Sequence, residues 1–194
     1  MRRLLVTAIL IAFGTAASGC GGSYSAIRTA HPPLGHRKFE TREAAYQFTR
    51  GRIIEIVAVR QWTLPGGEAV PDYEYLYVSV PDTAGTYQVG DAGVVVRRLV
   101  RSQREEFLYE ASSGSVKYRF AWLTKDHVEA RFDVMTEQAW PAPAEKQLWA
   151  LSGRIKANES VRDAQGMINK YQDTIERLRA QASAEPAGAA SNER

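Results

Sequence analysis

The chain has 194 residues, 44% of them hydrophobic, and 25 basic side chains against 22 acidic ones, the balance of a folded protein rather than of a disordered polyelectrolyte. Its single cysteine excludes an internal disulfide, so the fold must rest on its packed core. The near-neutral balance gives little support for nucleic acid as a partner, because such partners ask for a concentrated basic face.

The N-terminus has three parts: a basic tip with Arg2 and Arg3, an apolar run from Leu4 to Phe13, and small residues leading into Cys20 in Ala17-Ser18-Gly19-Cys20. The apolar run is about half the length of a membrane-crossing helix, which points to a cleaved export signal over residues 1–19. The small residues ending in cysteine resemble the lipobox of bacterial lipoproteins, with Ala17 standing where Leu is usual. That resemblance implies cleavage before Cys20, a diacylglycerol on its sulfur and acylation of the new amino group. Each buried methylene contributes about 0.8 kcal/mol, so two or more chains make a stable anchor where one is marginal. The resemblance further implies a place in the bacterial cell envelope, and Gly21, rather than Asp, after the cysteine favours the outer membrane over the inner one.

Residues 20–38 are rich in Gly, Ser and Pro around Pro32-Pro33 and read as the lipidated cysteine followed by a flexible tether. His31 and His36 fall there without a third converging ligand, so no metal site and no cofactor are expected. Residues 39–139 read as an antiparallel β domain. Thr41 to Arg50 fits either a short helix capped by Thr41 or a strand. Ile53, Val57 and Val59 mark a strand over 52–62, ended by Pro65-Gly66-Gly67. Tyr73 to Val80 alternates, with Tyr73, Tyr75 and Tyr77 on one face and Leu76, Val78 and Val80 on the other. Short strands follow at 86–89, 93–100 and 106–111. Ser112-Ser113-Gly114 reads as a turn into a hairpin whose strands carry Val116, Tyr118, Phe120 and Trp122 against Val128, Ala130, Phe132 and Val134, while Lys117, Arg119, Glu129, Arg131 and Asp133 point the other way. Turn signals about every ten residues predict a mainly β fold, an antiparallel β-sandwich or small barrel.

Trp140-Pro141-Ala142-Pro143 opens a segment, 140–182, predicted to be helical. Val161, Ala164, Ile168, Tyr171, Ile175 and Leu178 recur at alternating steps of three and four, an amphipathic stripe that either docks on the β domain or forms a short coiled coil with a second copy or a partner. Residues 183–194 have no apolar period and read as a disordered tail.

Catalytic patterns are weak. His127 is the only histidine within the β region, a solvated turn residue in Lys125-Asp126-His127, and the phosphate-loop, dinucleotide and zinc-protease signatures do not occur. Two sets remain as candidate partner surfaces: the row Tyr73, Tyr75, Tyr77, equally readable as cross-strand packing, and the helical seam Ile168, Tyr171, Ile175, Leu178. Arg97, Arg98, Arg101 and Arg104 suggest attraction to anionic headgroups, offset by Glu105, Glu106 and Glu110. Together these predict a lipid-anchored, non-catalytic structural or interaction module. A small-ligand carrier with a pocket in the β domain is the alternative, and a hydrolase using His127 ranks last.

Overall fold

The computed structural model describes residues 24–29, 37–41, 43–62, 72–102, 105–120, 127–159 and 161–184. Cys20 with its leader, His31, His36, Trp122 and the chain beyond 184 lie outside them. The architecture is mainly β, with one C-terminal helix. Among the described residues ten strands run in chain order: β1 (Tyr24–Thr29), β2 (Arg37–Thr41), β3 (Ala44–Thr49), β4 (Ile53–Trp62), β5 (Asp72–Pro81), β6 (Gly85–Gln88), β7 (Val95–Ser102), β8 (Glu105–Phe120), β9 (His127–Trp140) and β10 (Leu148–Glu159). Helix α1 (Val161–Ala184) follows at once.

The strands pair in the order β2-β1-β10-β3-β4-β5-β7-β8-β6, and β9 joins both β8 and β10. The hydrogen-bonded path from β3 through β4, β5, β7, β8, β9 and β10 therefore returns to β3. The sheet is mixed rather than purely antiparallel, because β10 lies parallel to β3 at Asn158↔Ala45 and Glu159↔Tyr46. These two strands lie far apart in the chain, and a parallel pair needs no hairpin between its members.

Three further expectations need correction. Part of the segment read as a flexible tether is strand: β1 pairs β10 from Tyr24↔Lys156 to Thr29↔Leu151, and β2 pairs β1. Residues 148–159, read as part of the helical segment 140–182, form β10, and the helix begins only at Val161. Ser112-Ser113-Gly114 does not turn the chain; β8 runs straight through it with a register shift between Ala111 and Ser113. Gly114 sits there at φ 107°, and a Cβ would meet Asp133 O at 2.3 Å, so the glycine serves a bulge rather than a turn. The ambiguous 41–50 segment is the strand β3.

Two apolar cores lie on opposite faces of the sheet. The inner one gathers Tyr46, Ile54, Ile56, Leu76, Val78, Val96, Val116, Tyr118, Phe132 and Ile155, among others, from all seven strands of the closed path. The outer one joins Val57, Val59, Tyr75, Tyr77, Leu99 and Leu108 to the helix. Strand β4 is covered on both faces, which is why Ile53-Ile54-Glu55-Ile56-Val57-Ala58-Val59 is nearly continuous in apolar residues. At one end of the inner face Arg98, fully buried, donates from Nε to Glu74 Oε1 at 2.5 Å and lies 5.7 Å from the Tyr109 ring centre. Arg60 reaches the same carboxylate at 3.3 Å.

Candidate functional site

The two predicted partner surfaces cover each other. Alternation along β5 turns Tyr73, Tyr75 and Tyr77 outward from the inner core, and the three-and-four spacing of α1 turns Ala164, Ile168, Tyr171, Ile175 and Leu178 toward the sheet. The rings of Tyr77 and Tyr171 stack at 4.8 Å between centroids and 6° between planes. Tyr75 lies 6.4 Å from Tyr171, and Tyr73 meets Tyr75 edge-on at 5.3 Å. Ile168, Tyr171, Ile175 and Leu178 are each at most 4% exposed. The helical seam is thus closed by its own chain, and neither set is a free docking surface.

Polar contacts flank this seam, and one of them bridges it. Tyr77 donates to Glu55 Oε1 at 2.6 Å, and Gln47 Nε2 donates to Glu55 Oε2 at 2.8 Å. Tyr73 donates to Glu106, whose two oxygens also accept from Arg177 Nη2 at 2.7 and 2.6 Å. Burial foremost, and then the adjoining Glu106 and Glu55 carboxylates, push the Tyr73 and Tyr77 phenols well above the usual tyrosine range.

A different surface concentrates charge. Where Val116 and Tyr118, Val128 and Ala130, and Ile155 and Ala157 point inward, the alternate residues of β8, β9 and β10 point outward. Lys117 then lies opposite Arg131, which lies opposite Arg154; in the next row Arg119 lies opposite Glu129, which lies opposite Lys156. Five cations surround one carboxylate, and the exposed Asp133 marks the border of the patch.

Glu129 is the hub of this face. Arg131 Nε donates to its Oε1 at 2.6 Å, and Arg119 Nη2 and Arg154 Nη2 donate to its Oε2 at 3.0 and 2.7 Å. Its side chain is 2% exposed, whereas those of Arg119, Arg131 and Arg154 are 53%, 55% and 44% exposed. Burial alone would raise the Glu129 carboxyl; the hydrogen bonds from Arg119 and Arg131 and the charge of Arg154 outweigh it and hold the group below the usual carboxylate range. One buried anion therefore fixes the spacing of three half-exposed guanidiniums. Such forks match the oxygens of phosphates and carboxylates.

No family model, curated protein or solved structure matches this chain.

Two of the arginines singled out in sequence have other uses. Arg98 is sealed in the inner core with Glu74, Arg97 pairs with Glu110 at 2.7 Å, and Arg104 lies outside the described residues. His127 begins β9 opposite Asn158 of β10. Among the described residues no three His, Cys, Asp or Glu side chains come together as a metal-holding group, and no helix is long and apolar enough to cross a membrane. The basic face escaped sequence reading for one reason. Lys117-x-Arg119, Glu129-x-Arg131 and Arg154-x-Lys156 have strand spacing, but the third lies in the segment read as helix, so the convergence of three strands was hidden.

Proposed function

We propose that this chain is a bacterial envelope lipoprotein: a small, closed β-barrel body latched by a C-terminal helix and held at the membrane, outer rather than inner, by acyl chains on Cys20. Its role is non-catalytic, that of a structural or interaction module. The observation that carries the reading is the short apolar run passing through small residues into the only cysteine of the chain. The body supports the second half: its inner face is filled by large side chains such as Tyr46, Leu76, Tyr118 and Phe132, in the space where a carrier would hold its ligand. Metabolic labelling with a fatty-acid analogue, combined with membrane fractionation, tests the anchor. Wild type incorporates label and sediments with membranes; Cys20→Ala loses the label. Unchanged labelling in that variant refutes the anchor.

A further inference from the structure

We infer that the outward face of β8, β9 and β10 is the surface by which the protein lies on anionic lipid headgroups; the inference rests on the anchored reading above and gives it a second membrane contact. The register carries the placement. Tyr24 opens β1 opposite Lys156, so the row Tyr24, Lys156, Glu129, Arg119 crosses four neighbouring strands. Adjacent strands lie about 4.8 Å apart, which puts the backbone of Arg119 about 14 Å from that of Tyr24. Cys20 precedes Tyr24 by four residues, a reach of at most about 14 Å of extended chain. Acyl chains on Cys20 therefore bring their bilayer to the edge of this face, within one or two screening lengths of its charges.

The chemistry of the face fits that neighbour. Three guanidiniums are spaced by Glu129, and Lys117 and Lys156 extend the positive field to either side. A sheet face offers these cations side by side, as a plane of phosphates would receive them, and each Lys or Arg near an anionic membrane raises partition about fivefold. Lipid anchoring and a basic patch together make the two-signal arrangement that holds a peripheral protein firmly.

The test uses the mature chain, residues 20–194, carrying Cys20→Ala, so that both the apolar leader and the acyl anchor are absent from every arm. Co-sedimentation is measured with vesicles of phosphatidylcholine alone and with vesicles containing about one third phosphatidylglycerol, at low salt and at about 0.5 M salt. Binding rises with phosphatidylglycerol and is lost in salt. The additional pair Lys117→Gln and Lys156→Gln leaves the three arginines on Glu129 in place and lowers partition about 25-fold, with an unchanged circular dichroism spectrum. Equal binding to both vesicle types, or no effect of that pair in a folded protein, overturns the inference, as does preference for a single-stranded RNA oligomer over the anionic vesicles. Labelling and fractionation of the acylated wild type report separately on the anchor. Loss of the anchor with intact salt-sensitive binding leaves the basic face standing, whereas a sound anchor with no charge dependence removes the face alone.

Discussion

Replacing Tyr171 by alanine tests whether the helical seam is closed by the tyrosine row. The ring is 2% exposed, stacks on Tyr77 at 4.8 Å and lies 6.4 Å from Tyr75. Truncating a buried aromatic to alanine costs about 3–5 kcal/mol, of which the stacked pair accounts for about 1 kcal/mol. With a urea slope of about 2 kcal/mol per molar, the midpoint falls by roughly 2 M. Helix ellipticity and tryptophan fluorescence followed in the same titration localise the loss. With Trp62, Trp122 and Trp140 replaced by phenylalanine in every variant compared, Trp149, edge-on to Tyr109 at 5.8 Å, reports on the β body, and the 24-residue α1 dominates the helical signal. In Tyr171→Ala the helical transition moves ahead of the fluorescence transition, while Tyr171→Phe, which keeps the ring, shifts either by less than about 1.5 kcal/mol. A loss below about 1 kcal/mol in Tyr171→Ala, equal to that of the exposed Gln172→Ala, refutes the docked seam.

Breaking the buried pair with Glu74→Gln or Arg98→Met alone costs about 3–5 kcal/mol, and the double variant costs less than the two together; an additive thermal-denaturation cycle would show that the pair is not coupled. Glu129 has a folded-state pKa below its unfolded value, so its contribution is present above about pH 4.3 and is lost as pH falls through the folded value; Glu129→Gln flattens that part of an acid-denaturation profile, and an unchanged slope contradicts the arginine hub. The buried phenols act with the opposite sign. Tyr73, Tyr75, Tyr77 and Tyr171 are all raised, Tyr171 to about 12 and chiefly by burial, so their contribution is present below about pH 10 and lost as pH rises; helix ellipticity that stays constant through strong alkali argues against their burial. Gly114→Ala places a methyl group against Asp133 O in a left-handed conformation and lowers stability by at least about 2 kcal/mol, read as a drop in melting temperature.

What could be read from sequence followed from periodicity. The alternation in 73–80 and 128–134 and the three-and-four stripe of α1 give the right element types, because each presents one continuous apolar face to a core. Strand β10 does not read as one, although Trp149, Leu151, Ile155 and Ala157 keep a period of two. Only Ile155 among its residues is β-branched, and Pro141 and Pro143 just before it suggest the opening of a helix. Gly114 reads as a turn because positive φ serves a turn and a bulge alike. The basic face shares the obscurity of β10: alternation turns Lys117, Arg119 and Arg131 outward, but Arg154 and Lys156 join them only once residues 148–159 are extended. The tyrosine row and the helical seam are each legible in the sequence, and what no local pattern reveals is that each is the other's cover.

That β10 touches β9, β3 and β1 gives the fold a particular order of completion. Synthesis delivers the N-terminal strands first, yet β3 meets β10 only when Asn158 and Glu159 arrive, and β9 keeps one bare edge until the same strand is made. Such distant pairing is slow compared with hairpin formation, so the chain passes through a long interval as an open ribbon with adhesive margins. Helix α1, attached directly to the closing strand, covers the outer core only at the end of that interval. A chain cut short before residue 148 is stranded in it, and its fate is aggregation or proteolysis rather than a smaller version of the same body.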